Sequence, residues 1–203
     1  HGIPQCFTSL EEMAASPGVD AVYIATPNFR HADQSILCMD HGKHVLCEKS
    51  ITLNSAELDE ARAIADAHGV VLMDATTILH MPLYQELLRR ANAGEFGRMN
   101  LAQLNFGSYK EYGDLTNRFY NPHLAGGAML DIGVYALSIM RLFMESQPSE
   151  VVSLGNLCET GVDVAGGVVC RNEQGQLGVV SLTLHSKQPK RAVISFDKCY
   201  VEV

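Results

Sequence analysis

A single carboxylate, Asp131, lies within an almost purely apolar run that begins at Gly126 and reaches about Met144. Because burying an unpaired carboxylate costs about several kcal/mol, we expect a cation or several donors to meet it. Tyr135 follows four residues later, so a helix places its phenol on the same face, one turn away. Two groups that can exchange protons would then point into the same space.

A second unusual pair, Glu48-Lys49, directly follows the short apolar run 44–47. Thr26-Pro27-Asn28 follows the apolar run before it. Ligands bind beyond the carboxyl ends of parallel strands, so these two loops are expected side by side on one rim. Each also has an ordinary interpretation: Thr-Pro-Asn as a turn and helix start, and Glu-Lys as a solvated pair. The central question is whether Lys49, Asp131 and Tyr135 meet.

The first part of the chain alternates strand and helix patterns. Apolar runs at 19–25, 44–47 and 70–73 predict strands, and the first is nearly continuous, as in a strand buried on both faces. Capping residues and stop signals predict helices at 9–15, 30–41 and 54–68. This order predicts right-handed crossovers and a parallel, doubly wound sheet.

The pattern changes after Pro82. We predict a helix over 84–93, a strand over 98–107, a polar, aromatic loop over 109–123 and the helix that starts at Gly126. Strands at 150–157, 164–171, 177–184 and 191–196 have turn residues between them, which favours antiparallel hairpins. The predicted fold class is therefore α/β, with a partial Rossmann-type parallel sheet over 1–78. An α+β domain with a large, mostly antiparallel open sheet follows over 79–203.

Composition excludes several classes of function. The chain has 203 residues, a net charge of −8 and scattered Lys and Arg, which argues against nucleic acid and against an anionic membrane surface. The apolar run is short for a transmembrane span and contains Asp131 and Arg141. The six cysteines show no paired spacing and are interpreted as buried thiols in a reducing cytoplasm. The eight histidines show no metal-ligand grouping, so no metal site is predicted.

No Gly-x-Gly-x-x-Gly motif occurs in the sequence. If a dinucleotide binds, the turn that holds its pyrophosphate is expected upstream of His1. The chain also opens with His1 in mid-pattern and ends in what looks like an unfinished strand. We therefore interpret the sequence as a fragment.

Three stretches together resemble the Gfo/Idh/MocA oxidoreductase family. They occur in the family's order and near its spacing: Thr26-Pro27-Asn28 with His31, then 42–49 (Gly-Lys-His-Val-Leu-Cys-Glu-Lys), then 126–135 (Gly-Gly-Ala-Met-Leu-Asp-Ile-Gly-Val-Tyr). Tyr135, where many members have His, and Glu159-Thr-Gly-Val-Asp163 are similar to one branch. That branch contains dimeric dihydrodiol dehydrogenase, NADP-dependent D-xylose dehydrogenase and glucose-fructose oxidoreductase. Where the family usually has Pro after the Lys, this chain has Ser50.

The resemblance implies a Rossmann domain that binds NAD or NADP, and a second domain for substrate binding and dimerisation. It implies Tyr135 as catalytic acid/base and Lys49 as its electrostatic partner, since an adjacent ammonium stabilises a phenolate. Asp131 would hold Lys49 or a substrate hydroxyl, and His123 could reach the substrate. The cofactor would be bound by residues along the nicotinamide and ribose: Thr26, Pro27, Asn28, His31, Glu48 and Lys49.

The leading hypothesis is a cytoplasmic NAD(P)-dependent oxidoreductase that acts on a sugar, polyol or dihydrodiol-like hydroxy compound. We expect a homodimer or higher homo-oligomer formed through the C-terminal sheet. One alternative is an NAD-using glycoside hydrolase of related fold, which returns its cofactor unchanged. Another is a cofactor-free fragment that acts only as a dimerisation module.

Overall fold

The computed structural model describes residues 2–203, and the chain divides into two compact units between Ala75 and Thr76. The division lies close to the expected boundary after residue 78. Each unit has its own cluster of buried apolar side chains. The predicted fold class is confirmed: a parallel, Rossmann-like sheet precedes a larger, mostly antiparallel one.

The first unit contains a three-stranded parallel sheet in the order β1-β2-β3. Its strands and helices are α1 (Leu10–Ala15), β1 (Ala21–Ile24), α2 (His31–Asp40), β2 (His44–Cys47), α3 (Ser55–His68) and β3 (Leu72–Asp74). The helix boundaries follow from capping. The Asn54 side chain accepts a hydrogen bond from the Glu57 N–H at 2.9 Å, and Gly69 ends α3 in the left-handed conformation.

Only one face of this sheet is covered by helices in the described residues. Val22, Ile24 and Val45 are buried, whereas Tyr23 between them is 57% exposed. The prediction that β1 is buried on both faces is therefore wrong for this part of the chain. The reason is that α2 packs on β1 and β2 while α3 packs on α2, so the helices leave the opposite face open.

The second unit contains a six-stranded sheet in the order β5-β6-β7-β4-β8-β9. Its strands and main helices are α4 (Pro82–Asn92), β4 (Met99–Gly107), α5 (Val134–Phe143), β5 (Pro148–Leu157), β6 (Asp163–Asn172), β7 (Leu177–Thr183), β8 (Arg191–Phe196) and β9 (Tyr200–Glu202). Neighbouring strands are antiparallel except β4 and β7, which are parallel. The residues that resembled an unfinished strand form β9.

Helix α5 is the central helix of this unit. The helical stretch Pro122–Phe143 is long and apolar enough to cross a membrane, with a mean hydropathy of 1.3. However, Ala136, Ile139 and Met140 are buried in the core, where α5 packs against β4, β7 and β8. This packing accounts for the apolar composition without a membrane.

The six cysteines are all free thiols. Cys38, Cys47 and Cys170 are buried as predicted, and burial raises the pKa of the Cys47 thiol to about 11. The interpretation of all six as buried is wrong for Cys6 and Cys199, which are exposed.

Candidate active site

The loops after β1 and β2 leave the first sheet side by side. Ile24 is paired with Cys47, and the Glu48 N–H donates to the Ile24 carbonyl at 2.8 Å. This register places Thr26–Asn28 and Glu48–Lys49, together called the polar edge below, at the carboxyl end of the parallel strands. The sequence predicted this arrangement from the order of the strands alone.

His31 joins the two loops of the polar edge from beneath. Its ring has no exposed surface, and its Nδ1 and Nε2 atoms lie 2.7 Å and 2.8 Å from the carbonyl oxygens of Ser50 and Thr26. An imidazole with both nitrogens engaged and no exposed surface has no group left for a ligand. His31 therefore holds the loops together, and the cofactor contact that the resemblance implied for it stays a prediction.

Glu48 is also fixed in place. The Tyr23 hydroxyl donates a hydrogen bond to its carboxylate, and the Lys49 main-chain N–H donates to it at 3.3 Å. The hydrogen bond to Glu48 raises the pKa of Tyr23, because an ionised phenol could not donate to a carboxylate. The peptide bond between Lys49 and Ser50 is cis.

The accessible groups of the polar edge suit a hydroxyl-rich ligand. Thr26 and Pro27 are exposed, and Asn28, Glu48 and Lys49 are partly exposed. They offer hydroxyl, amide, carboxylate and ammonium groups, which together can donate to and accept from ribose hydroxyls. These groups could hold the ribose of a dinucleotide. The pyrophosphate turn has no counterpart in this sequence.

In the second unit, Asp131 and Tyr135 lie on one continuous helical segment. The structure begins this segment as a π-helix over Met129–Gly133 and continues it as α5. The sequence predicted a helix here but not its π-helical first turn, which is a feature found frequently at functional sites. Asp131 is 7% exposed and Tyr135 is partly buried, so both groups are largely withdrawn from water.

The side chains of Phe106 and Asp163 contact this helical segment and restrain it. The Tyr135 ring stacks on Phe106 of β4, with ring centroids 5.0 Å apart and planes 16° apart. The Asp163 carboxylate accepts a hydrogen bond from the Met129 N–H at 2.7 Å. A Cβ on Gly127 would lie 2.2 Å from an Asp163 oxygen, so only glycine allows this approach, and its φ of +120° also favours glycine.

Asp131 has a cation partner within its own unit. An Arg118 Nη atom lies 3.7 Å from an Asp131 carboxylate oxygen. Arg118 belongs to the polar, aromatic loop between β4 and α5. His123, from the same loop, is exposed on a single 3₁₀ turn over Pro122–Leu124. In residues 2–203, no three His, Cys, Asp or Glu side chains gather as a metal site requires.

Sequence reasoning missed Arg118 and Phe106, and it noted Asp163 only as part of the 159–163 motif, without its contact to the helix. The signal for Arg118 was present, because an isolated acid in an apolar run requires a cation, but the loop contains several charged residues. Asp163 and Phe106 lie far from the helix in sequence, and only the packing of the sheet brings them to it. The predicted residues fall into two groups: the polar edge with Lys49 in the first unit, and Asp131, Tyr135 and His123 in the second.

Comparison with known proteins assigns both units. The family described as "Oxidoreductase family, NAD-binding Rossmann fold" matches residues 1–76, and the "GFO/IDH/MocA C-terminal domain" matches residues 84–202. The chain belongs to the Gfo/Idh/MocA oxidoreductase family. The resemblance inferred from the three sequence stretches is thereby confirmed, as is the NAD(P)-binding Rossmann character of the first unit.

Relatives of this chain include dehydrogenases. Scyllo-inositol 2-dehydrogenase (NADP(+)) IolU of Bacillus subtilis is 37% identical over 92% of this chain and 56% of its own length. Trans-1,2-dihydrobenzene-1,2-diol dehydrogenase of Xenopus tropicalis is 31% identical over 100% of this chain and 61% of its own length. The chain thus spans little more than half the length of these relatives.

Solved structures share the fold of this chain. Aldose-aldose oxidoreductase from Caulobacter crescentus superimposes with a TM-score of 0.86 and 24% identity, over 95% of this chain and 58% of that one. At this identity the likeness concerns the architecture alone.

Proposed function

We propose that the protein is an NAD(P)-dependent oxidoreductase that acts on a sugar, polyol or dihydrodiol-like hydroxy compound. Hydride would pass between the nicotinamide and a carbon that bears the reacting oxygen. Family membership over both units supports the reaction class. Two relatives, an inositol dehydrogenase and a dihydrodiol dehydrogenase by name, support the class of substrate.

The polar edge would hold the cofactor. Thr26, Pro27 and Asn28 would lie along the nicotinamide and its ribose, with Glu48 and Lys49 beside them. When bound, the nicotinamide supplies the hydride acceptor or donor. The chain's own contribution at this edge is a pair of loops that His31 fixes in place before any ligand arrives, which reduces the loss of conformational entropy on binding.

Tyr135 would move the hydroxyl proton of the substrate. A phenol with a pKa near 10 is a weak base at neutral pH, so it requires a positive charge nearby. Lys49 would supply that charge, and Asp131 would hold either Lys49 or a substrate hydroxyl. His123 would contact the substrate from the loop before the helix. General acid–base assistance of this kind contributes about 10²- to 10⁴-fold in rate.

One observation carries the proposal: a carboxylate only 7% exposed lies one turn before a partly buried phenol, at a π-helical turn. A purely structural role would not require an ionisable group at both positions. Apolar side chains often replace a buried, paired carboxylate without loss of stability, so stability alone gives no reason for an acid at position 131.

The proposal is tested with the full-length gene product. It is mixed with NAD⁺ or NADP⁺ and a panel of inositols, aldoses and a trans-dihydrodiol, and the absorbance of the reduced cofactor is followed. We expect steady reduction with at least one panel member. Tyr135→Phe should lower kcat by about 10²-fold or more, while the Kd of the cofactor stays within about two-fold.

Other outcomes separate the alternatives. Near-wild-type turnover by Tyr135→Phe removes Tyr135 from the mechanism. Cleavage of an aryl glycoside without any net change in the cofactor would favour the NAD-using glycoside hydrolase. A full-length protein that binds neither NAD(H) nor NADP(H) in a calorimetric titration would leave only the dimerisation module.

We also propose that the protein forms homo-oligomers through the outer face of the second sheet, the face opposite α5. Val152 is 71% exposed on this face, Leu154 is 84% exposed, and Val169, the partner of Val152 on β6, is 47% exposed. An exposed apolar patch on a sheet is typical of an interaction surface.

A further inference from the structure

We infer that Arg118 is a positioning residue that holds the Asp131 carboxylate for the reaction. This inference rests on the proposed function, because it is the proposed reaction that makes the orientation of Asp131 important. Neither the sequence patterns nor the comparisons assign any role to Arg118.

Asp131 is almost fully buried. Its side chain is 10% exposed, and the nearest Arg118 nitrogen is 3.7 Å from its Oδ1 atom. A buried carboxylate requires opposite charge or donors, and a guanidinium at this distance supplies charge. Because Arg118 and Asp131 belong to the same unit, the pair is a property of that unit's own fold.

The Arg118 guanidinium stacks on an aromatic ring. Its central carbon lies 4.1 Å from the centroid of the Phe119 ring, and Phe119 packs against the core of the unit. Lys110 is also 4.3 Å from this ring centroid. Stacking on an anchored aromatic ring restricts a long side chain that would otherwise be mobile.

The backbone that carries Arg118 and Phe119 is hydrogen-bonded to the start of the helical segment that bears Asp131. The Gly127 N–H donates to the Phe119 carbonyl at 3.0 Å. A Cβ on Gly126 would lie 2.8 Å from the carbonyl oxygens of both Arg118 and Phe119, so glycine is needed for the two segments to approach. The segment that bears Arg118 is therefore fixed to the start of the helix that bears Asp131.

Arg118 and Asp131 differ in their exposure. The Arg118 side chain is 56% exposed, whereas the acid that it pairs with is almost fully buried. Its planar guanidinium can stack on Phe119 with one face and meet Asp131 with one edge. A lysine ammonium cannot make both contacts, although it keeps the charge.

The test compares Arg118→Met, Arg118→Lys and a matched control in the full-length protein. Arg98→Met is the control, because Arg98 lies at the same 3.7 Å from Glu145 and is similarly exposed at 46%. We expect Arg118→Met to lower kcat/KM for the hydroxy substrate by about 10- to 100-fold, with the Kd of the cofactor unchanged. Arg118→Lys should recover only part of this loss, and Arg98→Met should have wild-type kcat/KM.

Chemical rescue supplies a readout that a general structural defect would not give. Added guanidinium ion, below denaturing concentrations, should raise kcat/KM of Arg118→Met but not of wild type or Arg98→Met. Wild-type kcat/KM in Arg118→Met, or a loss without rescue that equals the loss in Arg98→Met, would overturn the inference.

A stability measurement keeps this inference separate from the proposed function. In a double-mutant cycle of Arg118→Met and Asp131→Asn, followed by urea unfolding, the two substitutions should be non-additive. An inactive wild-type protein that still shows this coupling overturns the proposed function while the pairing stands. Additive effects on stability overturn the pairing whatever the activity.

Discussion

His31 is a buried side chain that links the two loops of the polar edge. Its ring reaches two main-chain carbonyls on two different loops, at Thr26 and Ser50. Both loops are parts of the polar edge or adjoin it. The imidazole therefore sets the spacing of the two loops.

We predict that His31→Leu weakens cofactor binding in the full-length protein. Without the contacts of the ring to the two carbonyls the loops lose their common anchor, so the Kd for NAD(P)H should rise by about 10-fold. Isothermal titration measures this Kd. His41→Leu is the control, because its exposed ring contacts only the local Leu37 carbonyl among the hydrogen bonds described, at 2.9 Å. Equal affinities for a folded His31→Leu and the wild type would contradict the role assigned to His31.

Individual site residues were predictable only where the local sequence was unusual. Asp131 was conspicuous because it was the one acid in an apolar run, and Lys49 because it followed a strand directly. The role of His31 was not predictable, since its motif position indicated proximity to the site but not the direction of its ring. Arg118 required knowledge of the path of a loop that has no periodic pattern.

The start of the helix that carries Asp131 and Tyr135 is the element on which the second half of the site depends. Three glycines allow close packing around it, and the Asp163 carboxylate accepts from its first turn. A carboxylate at a helix start also interacts favourably with the helix dipole. Asp163, the first residue of β6, thus holds the helical segment at its first residue, Met129.

We predict that Asp163→Ala lowers the free energy of unfolding by about 1–2 kcal/mol, because the Met129 N–H loses its acceptor. Asp163→Asn keeps an acceptor and should lose less. Urea denaturation measures both. Asp114→Ala is the control, since the Asp114 carboxylate accepts only from Thr116 in an exposed loop among the hydrogen bonds described, and the loss in free energy of unfolding should remain below about 0.5 kcal/mol. Similar losses for Asp163→Ala and Asp114→Ala would refute the anchoring role.

Elements were largely predictable, but their irregularities were not. Each apolar run became a strand or helix close to its expected bounds, because periodicity reflects the side that is buried. The π-helical turn over Met129–Gly133 was not visible, since nearly every residue there is apolar and no periodicity distinguishes the two helix types. The burial of β1 on only one face was also not predictable from the sequence, because the face of the sheet that helices cover depends on where α2 and α3 pack.

At the scale of the whole molecule, the proposed oligomer would form through the exposed apolar side chains on the outer face of the second sheet. Successive side chains on β5 point to opposite faces, so Val151 and Val152 report on different surfaces. They are 61% and 71% exposed. The two residues form a natural pair of test sites.

We predict that Val152→Glu raises the dissociation constant of the homo-oligomer by about 10-fold or more, because a carboxylate would be buried in an apolar interface. Sedimentation velocity over a range of concentrations measures this constant. Val151→Glu, with the same chemical change on the opposite face, should leave the oligomer intact. A monomeric wild-type protein, or identical behaviour of the two variants, would argue against this interface.

The central place of β4 in its sheet has a consequence for synthesis. β4 ends at Gly107, yet its two neighbours, β7 and β8, begin only at Leu177 and Arg191. On the ribosome, β4 and the apolar helix α5 therefore emerge long before the strands that cover them. Until Phe196 has left the exit tunnel, the apolar helix α5 and the unpaired strand β4 are exposed and prone to aggregate. We therefore expect a chaperone to protect the nascent chain during this interval.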